Sequence, residues 1–156
     1  DNFIPRAFFV NHLQEVDYSQ QLSMMTMKDF DPVKISFIDH KPRDIKYSKD
    51  SSIEISNYTD KIKLDIVTST NQFLVLSEIF YPNGWRITSH PEWEIYNVNS
   101  ILRGFYVPKG QHNVIMEFVP SDTYYGSIIS WFSIIILVIF AFSKSIFKLA
   151  KYATFK

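Results

Sequence analysis

The sequence predicts a mainly β fold, an antiparallel β-sandwich with a short N-terminal helix, followed by one C-terminal transmembrane helix. Apolar and polar residues alternate with a period of two through much of 51–119. A run of 21 residues, Thr123–Ser143, carries no charge. Hydrophobic residues make up 46% of the 156-residue chain, enough to build a core. We therefore expect a β domain at 1–122, a transmembrane helix at 123–143 and a basic tail at 144–156.

The first 50 residues predict two strands, at 6–10 and 33–38, on either side of a short helix at 19–28. Asp17 or Ser19 is placed to cap the start of this helix, because short polar side chains accept hydrogen bonds from the first free amides. Its methionines are predicted to fill the core rather than to form a binding surface.

The following strands are separated by turn residues such as Lys49-Asp50-Ser51 and Pro82-Asn83-Gly84. Residues 72–80 are apolar almost without interruption, which is typical of a central strand buried on both faces. Further strands are predicted around Ile53–Ile55 and at 61–66, 94–98, 101–107 and 112–119. Val107-Pro108-Lys109-Gly110 has the residues of a type I turn, so we expect it to close a hairpin between the last two strands.

The uncharged run is long enough to cross a bilayer, since about 20 helical residues span roughly 30 Å of hydrocarbon. All 16 acidic residues and 12 of the 16 basic ones precede it, and the other four, all lysines, follow it. The positive-inside rule then places the C-terminus in the cytoplasm and the β domain on the periplasmic or extracellular side. Membrane lipid is accordingly an expected partner.

Several kinds of chemistry are excluded or disfavoured. The chain has no cysteine, which excludes disulfides and thiol chemistry, and its net charge of zero argues against nucleic-acid binding. The four histidines show no helical metal-ligand spacing, and no phosphate-binding or nucleophile motif occurs. We expect no catalytic residue, metal site or cofactor in this chain.

Two groups of residues are candidates for contacts. Exposed aromatic side chains near turns can stack on sugar rings, and the alternative is that they pack in the core. This first group, with an arginine in a neighbouring strand, is Tyr81, Trp85, Trp93, Tyr96 and Arg103. Arg103 is expected to pair with an acid or with backbone carbonyls, and Trp85 to pack against the domain.

The second group lies on the predicted membrane helix, where Gly126, Ser130 and Ser133 fall on roughly one face. Small residues let two transmembrane helices approach closely. The alternative is that each serine hydroxyl bonds back to a carbonyl of its own helix. Other transmembrane helices are therefore expected partners of this face.

Three segments carry a resemblance to a known family. They are Ser77-Glu78-Ile79-Phe80-Tyr81-Pro82-Asn83-Gly84-Trp85, Asn99-Ser100-Ile101-Leu102-Arg103-Gly104 and Val107-Pro108-Lys109-Gly110-Gln111-His112. In this order they resemble the C-terminal region of YfhO-like bacterial membrane proteins, large polytopic proteins of the GT-C glycosyltransferase type. Pro5-Arg6-Ala7-Phe8 and Phe30-Asp31-Pro32 are similar to upstream segments. The family usually has a short Asp-Gly-Lys turn after the tryptophan, whereas this chain has a longer loop at 86–93.

The resemblance implies an inner-membrane protein that acts in the transfer of sugars from a polyprenyl-phosphate carrier. It also implies that this chain is the terminal ectodomain and last helix, without the catalytic centre. We therefore predict a non-catalytic extracytoplasmic module that contacts a glycan or a polyprenyl-linked sugar. The alternative is a single-span β-sandwich subunit with a structural or assembly role in a larger membrane complex.

Overall fold

The computed structural model describes residues 4–57, 61–82 and 84–153 and divides the chain into two compact units, residues 1–119 and 120–156. The first unit holds ten strands and one short helix among its described residues. In chain order these elements are β1 Ala7–Phe9, β2 His12–Glu15, α1 Tyr18–Met25, β3 Ile35–Ile38, β4 Ser52–Asn57, β5 Lys61–Thr68, β6 Gln72–Ile79, β7 Trp85–Ile87, β8 Tyr96–Val98, β9 Leu102–Val107 and β10 Gly110–Phe118. The second unit contains α2, Ser121–Ala153.

Two four-stranded antiparallel sheets form the body of the β domain, which confirms the predicted fold class. One sheet has the order β1-β6-β9-β8 and the other β4-β5-β10-β7. Their facing sides share one hydrophobic core, built around residues such as Leu64, Leu74, Phe105 and Met116. A short parallel pair, β2-β3, was not predicted, because β2 has only one buried residue, Leu13, and so shows no apolar period.

Strand β6 is buried on both faces over residues 72–76, as its continuous apolar sequence predicts, whereas Ile79 near its end is 75% exposed. Leu74 and Leu76 lie in the core between the two sheets. Phe73 and Val75 point the other way, into a second cluster beneath β2 and β3. The strand thus separates two hydrophobic interiors and pairs with β1 on one side and β9 on the other.

The predicted hairpin between β9 and β10 is wrong. β9 pairs with β6 and β8, whereas β10 pairs with β5 and β7 in the other sheet. Pro108 and Lys109 therefore turn a corner from one sheet to the next, and the backbone amide of Lys109 donates to Asn71 Oδ1 at 2.9 Å. A turn signature shows where the chain reverses, but not which sheet receives the next strand.

Helix α1 begins as predicted and packs in an unexpected way. Asp17 caps it by accepting from the Ser19 amide at 2.9 Å, and this bond and that of the Ser19 hydroxyl lower the pKa of the Asp17 carboxyl. The methionines were predicted to fill the core, and this is wrong for Met27, which is 62% exposed. The buried residue of α1 is instead Gln21, because its amide is held by backbone groups on both sides.

Helix α2 is long and apolar enough, over Thr123–Phe140, to cross a membrane. The hydroxyls of Ser127, Ser130 and Ser133 each donate to the carbonyl four residues earlier, at 2.8–2.9 Å. Each bond satisfies the hydroxyl within its own helix, which was the alternative weighed for these serines. A Cβ added at Gly126 would meet nothing within 4 Å.

Candidate functional site

The candidate site is a cleft at the end of the β domain where β6 stops and β7 and β9 start. Phe80 leaves β6 and its amide donates to the Ile101 carbonyl at 2.7 Å. A turn follows, in which the Gly84 amide donates to the Tyr81 carbonyl at 3.2 Å. Glycine is needed here because a Cβ at position 84 would lie 2.3 Å from the Phe118 ring. This close approach brings Tyr81 and Trp85 together against Phe118.

The cleft has a volume of about 630 Å³ and brings together four of the five predicted contact residues. Tyr81 is exposed, Trp85 and Trp93 are half-buried, and Arg103 is buried. The remaining lining residues are Phe80, Pro82, Arg86, Ile87, Thr88, Pro91, Glu94 and Ile95. Aromatic rings and two arginines, Arg86 and Arg103, thus line a common space of the size that small ligands occupy.

Arg103 is the best-fixed side chain of the cleft and is only 1% exposed. Its guanidinium forms an ion pair with Glu78 and lies over the Trp85 ring, with Cζ 4.1 Å from the ring centroid. Nη1 donates to the Ile79 carbonyl at 3.5 Å, and Nε has no partner among the described residues. Arg103 was expected to pair with an acid or with backbone carbonyls, and it contacts one of each.

Glu78 was not among the residues predicted from the sequence, although its carboxylate is the anion that pairs with the buried Arg103. It pairs with Arg6 as well as with Arg103, so one carboxylate serves two guanidinium groups. Burial lowers the pKa of Arg103 and the Glu78 charge opposes this shift. The signal in the sequence is an arginine inside the apolar strand β9, because a buried cation requires an anion nearby.

The indole of Trp93 is held in place by a group of rings, and the Trp93 backbone amide donates to the His90 carbonyl at 3.0 Å. The indole stacks on His90 at a centroid distance of 4.4 Å and meets the edge of His112 at 5.1 Å. Its other contact is Phe105 in the core, at 5.9 Å. The indole is therefore anchored from below and presents its remaining surface to the cleft.

Tyr96 does not line this cleft, unlike the other four residues. It lies in a neighbouring pocket of about 220 Å³ that shares Trp93 and Glu94 with the first. Its hydroxyl donates to Glu94 Oε2 at 2.8 Å and accepts from Arg43 Nη2 at 3.3 Å. Burial, followed by the Glu94 carboxylate, raises the pKa of Tyr96 to about 12.

No group of three His, Asp or Glu side chains able to hold a metal occurs within residues 4–57, 61–82 and 84–153. The polar groups near the cleft are instead used in pairs, as Glu78 with arginines and Glu94 with Tyr96. The arrangement is therefore suited to holding a ligand by ring stacking and by charge.

One comparison with known proteins gives a match. The family model described as "Bacterial membrane protein YfhO" matches residues 26–130, which include both pockets, β3 to β10 and the start of α2. The segment Pro5–Phe8, which also carries the resemblance, lies before the matched range. No curated protein and no solved structure matches the chain.

Proposed function

The chain belongs to the YfhO family of bacterial membrane proteins, and from this premise we propose that its β domain is a non-catalytic extracytoplasmic module that binds a sugar or a polyprenyl-linked sugar. In this proposal residues 1–122 form the ectodomain, 123–143 the transmembrane helix and 144–156 the cytoplasmic tail. The parent protein then acts in lipid-linked sugar transfer to glycans of the cell envelope.

The observation that carries the proposal is the combination of aromatic rings and the exposed guanidinium of Arg86 in one cleft. Trp85 and Trp93 offer flat apolar faces, and Tyr81 stands exposed at their side. Arg103 is buried against Trp85 and paired with Glu78, so it fixes the Trp85 ring. The exposed Arg86 supplies a planar donor group suited to phosphate oxygens. The carboxylate of Glu78 is already engaged by two arginines. These properties favour binding over acid catalysis.

The proposal can be tested with the full chain in detergent micelles. Calorimetry measures its affinity for a short-chain polyprenyl-phosphate sugar. We expect Trp85→Leu to weaken binding about tenfold, because one stacked ring contributes about 0.5–1.5 kcal/mol. The matched control is Trp131→Phe, which alters an exposed indole of α2 and should leave the affinity unchanged.

Equal affinity of the Trp85→Leu variant and the original chain would contradict the proposed site, provided that both unfold at the same temperature. Absence of binding by the original chain would contradict the sugar-binding role itself. A thermal unfolding curve for each variant separates a lost contact from a lost fold.

The orientation predicts which positions a membrane-impermeant maleimide reaches. Because the chain has no cysteine, a single cysteine at Asn113 or at Thr154 is an unambiguous probe. We expect labelling at Asn113, which is exposed on β10, and protection at Thr154 in intact spheroplasts. Both should be labelled after the membrane is opened with detergent. Reversed labelling would contradict the proposed orientation.

The alternative, a single-span subunit with a structural or assembly role, draws support from α2. Gly126, Ser130 and Ser133 leave a face without bulky side chains, and the serine hydroxyls are already satisfied within the helix. We propose that this face packs against another transmembrane helix through close backbone contact. Such packing is compatible with both functions.

A further inference from the structure

One end of the β domain carries most of its exposed apolar side chains. Strand direction and register place the end of β6, the end of β10 and the turn before β9 at this end. We call it the Val119 end, after the last residue of the unit. It exposes Ile79 and Ile101, which are 75% and 54% exposed, together with Tyr81, Phe118 and Val119.

Helix α1 adds to the same end. The Ser100 amide donates to Gln21 Oε1 at 2.7 Å, which fixes α1 beside the turn that contains Ile101. Residues 18–27 carry no charge, and Leu22 and Tyr18 are 62% and 55% exposed. A helix that buries a glutamine and exposes a leucine is reversed relative to the usual pattern of a soluble domain.

The opposite end of the sheets is polar by comparison. It consists of the corners between β5 and β6 and between β9 and β10, where Ser69, Thr70, Asn71 and Lys109 lie. β10 has nine residues, so about 30 Å separate the two ends. Among the described residues, the exposed apolar side chains on this side are Val67 and Tyr47, at 42% and 38%, so the larger group of exposed apolar side chains belongs to the Val119 end.

The short connection between Val119 and the candidate span keeps the Val119 end close to the bilayer. Only four peptide units join Val119 to Thr123, where the candidate span starts, and they reach at most about 14 Å. The headgroup layer on each side of the hydrocarbon is itself about 5–7 Å thick. The opposite end, about 30 Å further along β10, is under no such constraint.

We infer that the Val119 end of the β domain rests in the headgroup layer of the membrane and contacts lipid through Leu22, Ile79, Tyr81, Ile101 and Phe118. This inference rests on the proposed transmembrane helix. Tyrosine is enriched at the membrane–water interface, and leucine and phenylalanine are typical of apolar faces buried at the headgroup boundary. Two cations of this end are already paired, Arg6 with Glu78 and Lys61 with Glu117. Each of these positive charges is therefore compensated by a carboxylate within the domain.

Lipid is a better occupant than a second protein chain for a physical reason. The apolar residues come from four separate segments and include the uncharged helix α1, whose outer face has no charge to orient a specific partner. The neighbouring lipid surface is also present wherever the span is inserted, without a further binding event.

Nitroxide labels on single cysteines test the inference in the full chain, reconstituted in vesicles of phosphatidylethanolamine and phosphatidylglycerol. The labelled positions are Leu22 and Ile101 at the Val119 end, Lys109 as the matched control at the opposite end, and Ile136 within the span. Collisions with oxygen and with a neutral nickel chelate report the depth of each label. All four residues are exposed, so the labels should not disturb the core. Leu22, Ile101 and Ile136 are apolar, whereas Lys109 is charged.

We expect the ratio of oxygen to nickel accessibility to be several-fold higher at Leu22 and Ile101 than at Lys109, and highest at Ile136. Aqueous values at Leu22 and Ile101, with a lipid value at Ile136, would overturn this inference and leave the transmembrane helix intact. An aqueous value at Ile136 would instead overturn the proposed span. Low accessibility to both reagents at Leu22 and Ile101 would show that protein covers this end, which also overturns the inference.

Discussion

Replacing Glu78 with alanine should destabilise the β domain by about 3–5 kcal/mol, which is the usual effect of leaving a buried charge without its partner. Arg103 is 1% exposed and would keep only the Ile79 carbonyl at 3.5 Å and the Trp85 ring. The measurement is urea unfolding followed by circular dichroism. Because we expect α2 to stay helical in micelles, the circular dichroism signal of the β-strands reports unfolding of the β domain.

The reciprocal change should have a smaller effect. In Arg103→Met the carboxylate of Glu78 retains Arg6 and is partly exposed, so no isolated buried charge remains. Arg6→Ala should lower stability by no more than about 1 kcal/mol, since Arg6 is largely on the surface. A loss of only about 1 kcal/mol for Glu78→Ala would contradict the prediction and show that the domain tolerates Arg103 unpaired.

Phe73→Ala should destabilise the domain by about 3–5 kcal/mol, because a fully buried ring is removed and the surrounding strands close the cavity only in part. Phe73 belongs to the second hydrophobic interior and contacts Tyr106 edge to face at a centroid distance of 4.7 Å. The control is Phe118→Ala, whose ring is 39% exposed and should contribute less.

A double-mutant cycle with Gly104 sharpens this prediction. A Cβ at position 104 would lie 2.5 Å from the Phe73 ring and 2.7 Å from the Leu74 carbonyl oxygen. Gly104→Ala should therefore destabilise the original domain by about 1–3 kcal/mol and the Phe73→Ala variant by less, since one of the two clashes is gone. Additive losses would mean that the carbonyl contact alone accounts for the effect.

The elements with strong local patterns were predicted well. The apolar run at 72–80 correctly indicated a strand buried on both faces over 72–76, although Ile79 is exposed, and the uncharged run indicated α2. The cap of α1 at Asp17 was also foreseen, since an N-cap depends on a few neighbouring residues. For the candidate site, the aromatic residues near turns were identified, and the structure places four of the five chosen residues in one cleft.

What the sequence did not provide was the pairing of distant residues. Glu78 and Arg103 are 25 positions apart, and Tyr96 was grouped with Trp85 although it belongs to the neighbouring pocket. The prediction of a hairpin at Pro108 was wrong because a local turn does not determine which sheet the next strand joins. The prediction that the methionines fill the core was wrong for Met27, just after α1, because apolar composition alone does not show which side chains pack inward.

The sequence by itself determined the strand and helix periodicity, the apolar span and the charge asymmetry around it, because each depends on residues that are neighbours along the chain. Only the tertiary structure decided that Arg103 is neutralised by Glu78, that β9 and β10 lie in different sheets, and that α1 turns its glutamine inward. These contacts join segments far apart in sequence. They are selected by the packing of two sheets and the pairing of buried polar groups, which no local pattern records.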